Sequence, residues 1–266
     1  LRLTPGDPAA IIAGDFATTE QIAEIRQKLG LSEPLWKQFF IWFGNALQFD
    51  LGESFYYKKE VSELILNRIE PTFSLSLITI IFTVCVAVPL GTMAAYTQGS
   101  WVDRFIMGFS VMGFSLPVFV IGYGVIYVFS LKLQWFPVQG YTRIGDSVFG
   151  WLHQLILPSL ALSVIFIAFI ARMTRTSVLE VLSEDYIRTA RAKGQTESKV
   201  LMRHALRNAA VPVVTVIGLA IAILIGGVVV TESVFNIPGL GLMTVEAVLN
   251  RDFPTVQALI LFFSVI

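Results

Sequence analysis

Few side chains in this chain are placed to do covalent or acid–base chemistry. Its two histidines, His153 and His204, stand alone, one at the entrance of an apolar run and one in a basic stretch. Interfacial or solvent-facing positions account for both. The one cysteine, Cys85, has no second thiol to pair with and reads as a small buried apolar residue within an apolar run. A Gly-x-x-x-x-Gly-Lys-Ser/Thr phosphate loop is absent, so the chain has no means of hydrolysing ATP itself. No His-Glu-x-x-His or comparable ligand spacing offers a metal site. Glu232 and Glu246 follow the last complete apolar run, either at the surface or at the mouth of whatever pathway the runs enclose. The sequence therefore assigns no catalytic and no metal-binding residue.

One segment is suited to a mechanical contact instead. Ser183, Glu184, Asp185, Tyr186, Ile187, Arg188, Thr189, Ala190, Arg191, Ala192, Lys193 and Gly194 read as a short, self-contained helix. Ser183 is its expected N-cap. Glu184 and Asp185 fall in the first turn, where the helix dipole favours anions, and Arg191 and Lys193 in the last, where it favours cations. Gly194 is able to close the helix in a left-handed conformation. A second helix is expected from about Thr196 through Val200, Leu201 and Leu206 toward Pro212. Such a knob is either a solvated helical loop or a docking surface. The small residues Ala190, Ala192 and Gly194 would let a partner approach closely.

The elements that carry this knob follow from composition. Apolar residues make up 55% of the chain and charged residues 14%, against about 25% charge in a soluble domain. Net charge is +0, which gives no argument for a nucleic-acid partner. Charge-free runs locate membrane spans at 72–97, 105–131, 155–171 and 211–231, with a further one at 255–266. Twenty-five helical residues reach about 38 Å, enough for a hydrocarbon core of about 30 Å with tilt. The runs do not alternate in polarity, so a helical bundle is expected rather than a barrel.

Orientation follows from the basic residues. The segment 172–210 holds eight of the 19 lysines and arginines, whereas 132–154 and 232–254 hold only Lys132, Arg143 and Arg251. The positive-inside rule puts 172–210 in the cytoplasm and, by alternation, residues 1–70 outside. An external residue 1 calls for an earlier crossing. The expectation is six spans in the intact protein, the first missing here and the last truncated.

Residues 1–70 are expected to be an extracytoplasmic helical segment. Thr18-Thr19-Glu20 opens a helix with Ile22, Ile25 and Leu29 on one face and Gly30 as its cap. Ser32-Glu33-Pro34 opens another, with an apolar stripe of Leu35, Phe39, Phe43 and Leu47 near Trp36 and Trp42. That stripe either packs on the outer ends of the spans or presents a docking surface. Within the spans, Gly218, Ala222 and Gly226 make one smooth face, and Pro89, Pro117 and Pro158 mark kinks.

Several of these passages together resemble one family. The run Glu184–Gly194, with Ala205-Leu206-Arg207-Asn208-Ala209 and Val211-Pro212 behind it, is similar to the cytoplasmic loop of binding-protein-dependent ABC importer permeases. The dipeptide, oligopeptide and nickel branch is the nearest in kind. Thr4-Pro5-Gly6-Asp7-Pro8, Leu155-Ile156-Leu157-Pro158-Ser159, Val234-Phe235-Asn236-Ile237-Pro238-Gly239-Leu240-Gly241 and Arg251–Gln257 fit the same branch. The loop departs from the general Glu-Ala-Ala-x-x-x-Gly pattern: Arg188 and Thr189 stand where the Glu and first Ala would be, and Ala190 is retained. That departure weighs against a sugar substrate.

The resemblance implies an all-α integral membrane protein with the fold of a type I ABC importer transmembrane domain. Residues 183–194 would be the coupling helix that enters a cleft on a cytoplasmic ATPase. Two ATPase subunits would bind ATP and Mg, with no cofactor held by this chain. A second permease subunit and an extracytoplasmic solute-binding protein would complete the assembly in the bacterial inner membrane. Cargo would be di- or oligopeptides, or alternatively nickel or glutathione-like molecules. An ion-coupled transporter or an intramembrane hydrolase fits less well, because the apolar runs contain no ionisable group between their charged flanks.

Overall fold

A computed structural model describes residues 9, 18–28 and 32–266. The Thr4–Pro8 motif, Leu29, Gly30 and the side chains of Ile25 and Leu35 lie outside the described residues. The chain forms two compact units, one of residues 1–70 with 238–266 and one of residues 71–237. Apart from an isolated bridge between Glu53 and Glu60, regular structure among the described residues is helical.

The larger unit is organised around α6 (Val148–Leu182), the most enclosed of the long helices. Leu155, Leu162, Phe166 and Ile170 recur at helical spacing along α6 and are buried against Ala220, Leu224 and Val228 of α8 (Glu197–Phe235). Leu75 of α3 (Val61–Tyr96) joins the same core. Gly91 lets α3 approach α6 backbone to backbone: an added Cβ would lie 2.4 Å from the Ala171 carbonyl oxygen. The expected spans 155–171 and 211–231 fall within α6 and α8, and 72–97 falls within α3 except for residue 97; among the described residues these are the three helices long and apolar enough to cross a bilayer. Pro71, Pro89, Pro158 and Pro212 are accommodated inside these helices.

The expected span 105–131 is not one helix. It breaks into α4 (Trp101–Ser115) and α5 (Val118–Val125, continuing as a π-helix to Lys132), which meet at 104°. The cause is Pro117, which pushes the preceding Leu116 into an extended conformation, φ −91 and ψ 129. Two further expectations are corrected in this unit. Cys85 is exposed rather than buried, on the outward side of α3. Gly218, Ala222 and Gly226 also face outward, so their smooth face meets no other helix within the unit.

The smaller unit contains α1 (Thr19–Lys28), α2 (Leu35–Leu47), the first turns of α3, α9 (Leu240–Leu249) and α10 (Phe253–Val265). Val61, Leu64 and Ile65 pack on Leu240, Met243, Ala258 and Leu259. The Asp252 carboxylate, fully buried, accepts hydrogen bonds from Ser54 Oγ, the Phe55 amide and Thr255 Oγ1, and so ties the 53–60 turn to the start of α10. Glu246 receives Arg68 Nη1 at 3.0 Å and the Tyr57 hydroxyl. Burial, reinforced by that hydrogen bond, pushes the Tyr57 phenol up to about 12. The apolar stripe of α2 is open within this unit: Phe39, Phe43 and Leu47 are exposed, with Trp36 and Phe40 beside them, while Gln38 turns inward. α10 occupies 13 residues of the expected 255–266 run and its flank, too short to count as a span on its own.

Candidate coupling surface

The 183–194 segment does form a separate helix, α7 (Asp185–Ala192). Ser183 is not its N-cap. Ser183 belongs to the end of α6, where its amide and its hydroxyl both donate to the Glu180 carbonyl, at 3.1 and 2.6 Å. The preceding helix claims the serine first, because its last carbonyls lack donors. Glu184 takes the cap position with extended backbone and no side-chain cap bond. At the other end the expectation holds. Gly194 adopts φ +73, its amide bonds to the Arg191 carbonyl at 2.9 Å, and the Gln195 amide reaches the Ala190 carbonyl at 3.3 Å. This pair of bonds is a Schellman closure.

α7 is strongly two-faced. Ile187 and Ala190 point inward and pack with Ala95, Val178, Val200, Ala205 and Ala209, joining the ends of α3, α6 and α8. Ala190 is therefore not a small residue offered to a partner; it is small because α8 lies against it. The outward face carries Glu184, Asp185, Arg188, Thr189, Ala192 and Lys193. Polar ties fix the knob to α8: Asn208 Nδ2 donates to the Tyr186 hydroxyl at 2.9 Å, and Arg191 grips Glu197 through Nε and Nη2 at 2.9 and 3.2 Å. His204 Nε2 lies 2.8 Å from Gln195 Oε1, just past the cap. Arg188 reaches Asp185 at 3.3 Å across a fully solvated face, where such a pair contributes little. The knob is thus rigidly mounted, with a polar outer face and an apolar root.

A second constraint holds the same end of the unit. Arg175 of α6 pairs with Asp103 at the start of α4 through two bonds of 2.6 and 2.8 Å. The Arg175 guanidinium holds the Asp103 carboxyl below its usual range, although burial opposes the shift.

These features have counterparts in known proteins. Residues 87–266 match the family described as the binding-protein-dependent transport system inner membrane component, and residues 1–76 match its N-terminal part. The chain belongs to this family. The permease is 52% identical to the probable peptide ABC transporter permease protein y4tP of Sinorhizobium fredii, over 99% of this chain and 84% of that one. It is 45% identical to the glutathione transport system permease protein GsiC of Escherichia coli O6:H1, with the same coverage. Its fold resembles a chain of the inward-facing MetNI methionine ABC transporter, at 17% identity, covering 76% of this chain and 90% of that one, with a TM-score of 0.59. A chain of an amino acid ABC transporter is similar at a TM-score of 0.55, with 14% identity over 77% of this chain and 87% of that one. The permease is accordingly a multi-pass membrane protein with the type I importer transmembrane fold.

For one ionisable residue in the permease the structure removes the surface placement that the sequence allowed. Glu232 is neither at the surface nor open to solvent; it is fully buried near the end of α8, where its Oε1 accepts a 2.6 Å hydrogen bond from Thr72 of α3. A signal for this was available. Ala220, Leu224 and Val228 form the buried stripe of α8, and the next step of four residues is Glu232. Glu246 serves the Arg68 and Tyr57 contacts described above. His153 sits among Phe136 and Phe149, with Nε2 2.9 Å from the Trp135 carbonyl oxygen.

Proposed function

We propose that this chain is the pore-forming permease subunit of an ATP-driven importer for di- and oligopeptides in the bacterial inner membrane. The observation that carries the coupling part of this reading is the mounting of α7. Its root is shared by three long helices and its outer face is exposed among the described residues. A force applied to that face moves the ends of α3, α6 and α8 together, because packed interiors transmit strain rather than absorb it. The α7 surface is read as the coupling helix that sits on a cytoplasmic ATPase, with residues 172–210 on the inner side. Two such ATPases bind ATP and Mg, and this chain holds no cofactor. A second, related permease subunit and an extracytoplasmic solute-binding protein complete the machine. ATP-driven closure of the ATPases turns the pore outward while the binding protein releases its cargo.

The test uses the assembled transporter. Asp185→Lys, Arg188→Glu and Ala192→Trp change only outward positions of α7. They are expected to release the ATPase during purification and abolish uptake of a labelled dipeptide, with the melting temperature of the permease unchanged. Retained ATPase and normal uptake in all three would remove the coupling assignment. Glutathione-like tripeptides are the second reading for the cargo, supported by the identity to the GsiC permeases. Screening the co-purifying binding protein against dipeptides, glutathione and nickel separates the two.

A further inference from the structure

The helix that leads into the 104° elbow at Pro117 has no place in the root of the α7 knob. Ile187 and Ala190 pack with Ala95 of α3, Val178 of α6 and Val200, Ala205 and Ala209 of α8. No residue of α4 or α5 joins that cluster among the described residues. α4 packs chiefly on α6 instead. It follows α3 across the turn at 97–100, where Gly99 adopts φ +79. A short turn passes on the position of the helix that follows it but leaves its tilt to other contacts.

Two contacts on α6 set that tilt. At one, Gly113 lies so close that an added Cβ would stand 3.1 Å from Val164 Cγ1 and 3.6 Å from Ala168 Cβ. At the other, about 15 Å away along α4, the Asp103 carboxylate accepts from Arg175 Nε and Nη2 at 2.6 and 2.8 Å. The Gly113 contact is apolar and does not fix a register, whereas a forked guanidinium–carboxylate pair is directional. The Asp103 side chain is only 6% exposed, so water is a poor substitute for the guanidinium there. Asp103 Oδ2 also accepts the Gly99 amide at 2.9 Å, so the 97–100 turn, α4 and α6 meet at one side chain. Arg175 stands one turn before Val178, and residues three apart share a helix face. Val178 belongs to the α7 root, so the clasp and the knob hold adjoining turns of α6.

We propose that the Asp103–Arg175 clasp is a coupling link, which makes α4 and the elbow behind it follow α6 when force enters through α7. This rests on the permease reading. Asp103 and Arg175 are positioning residues, acting on the pathway through the helix they hold. A buried ion pair is seldom worth more stability than apolar side chains of similar volume. What it adds here is one fixed arrangement of α4 on α6, which an apolar pair would let slide.

The test uses the assembled transporter in membranes and compares Asp103→Leu/Arg175→Met with Arg175→Lys, which keeps the charge but not the fork. Labelled dipeptide taken up per ATP hydrolysed is expected to fall about tenfold in the double variant and less in Arg175→Lys. The melting temperature of the double variant should stay near the wild-type value. Uptake and hydrolysis lost in equal proportion, or an unchanged ratio, would make the pair merely structural and overturn the proposal. Spin labels on the exposed positions Met112→Cys and Thr176→Cys, with Cys85→Ser removing the native thiol, read the α4–α6 distance directly. With the clasp intact, the distance should be narrowly distributed and the same with and without trapped nucleotide. With the clasp removed, it should broaden. A shift on trapping in the intact protein, or superimposable distributions in the two, also overturns the proposal. Arg175→Lys carries both measurements if the double variant fails to fold. A parent that takes up no dipeptide and retains no ATPase counts against the permease reading, and the comparison of label distances still decides the clasp.

Discussion

Asp103 and Arg175 clasp each other through both carboxylate oxygens, at 2.6 and 2.8 Å, and so close the start of α4 onto α6. The clasp is prepared locally. Ser100 caps α4 by accepting from the Asp103 amide, and the Gly99 amide donates to Asp103 Oδ2 at 2.9 Å. A carboxylate buried to this degree needs all of these donors, since removing one partner of a buried pair leaves an uncompensated charge.

Arg175→Met is therefore expected to destabilise the permease by about 3–5 kcal/mol, read from thermal melting in detergent. The pH dependence has a definite sign. Asp103 has its folded pKa depressed chiefly by the Arg175 hydrogen bonds. Its contribution is complete above the unfolded value of about 3.9 and is lost as pH falls through the folded value. Wild type should lose melting temperature steeply on acidification below about pH 4. Asp103→Asn should flatten that limb, and superimposable acid limbs would show that the pair contributes nothing.

Glu232 and Thr72 make the corresponding tie between α8 and α3. Thr72→Val removes the donor while keeping the shape, and should cost about 1–3 kcal/mol, the range for leaving a buried acceptor without its partner. Thr72→Ser should retain most of the stability. Equal melting of the valine and serine variants would mean that Glu232 is held by other contacts.

Gly91 and Gly218 test how closely the helices approach. A Cβ at Gly91 would fall 2.4 Å from the Ala171 carbonyl oxygen and 2.7 Å from Thr174 Cβ, neither of which is the end of a flexible side chain. Gly91→Ala is expected to cost at least about 1–3 kcal/mol by forcing α3 and α6 apart. Gly218 has nothing within 4 Å of its added Cβ, so Gly218→Ala should leave the isolated subunit's melting unchanged or slightly raised. The same variant in the assembled transporter reports whether another chain covers that face.

Gly194 sets the end of the knob. Its φ of +73 is strained for a side-chain-bearing residue although space is open around it. Gly194→Ala should cost roughly 1 kcal/mol and Gly194→Asn less, because asparagine tolerates the left-handed region. Hydrogen exchange across residues 185–195 measures the loss directly, with faster exchange expected in the alanine variant and near-native exchange in the asparagine one.

Much of this architecture was legible in the residues. Charge-free runs of sufficient length located α3, α6 and α8, because backbone groups in hydrocarbon must bond within a helix. The α7 knob and its Gly194 closure were equally legible, since capping depends on only a few neighbouring residues. The family followed from several passages read together, and the comparison with known permeases bears it out.

The direction in which each residue faces was decided by the tertiary structure alone. In water an apolar stripe on a helix points to the core, but in a bilayer both the packed face and the lipid face are apolar. Cys85 and Gly218 were read as packed positions, yet they face outward, and of the two readings of the α2 stripe the exposed Phe39 and Phe43 leave the docking surface open. Ala190 was read as outward and is buried, and Glu232, for which the sequence left the surface or the mouth of a pathway, is fully buried within the chain. Pro71, Pro89, Pro158 and Pro212 remain inside helices while Pro117 ends one, because the surrounding helices determine which interrupted backbone is accommodated and which must turn.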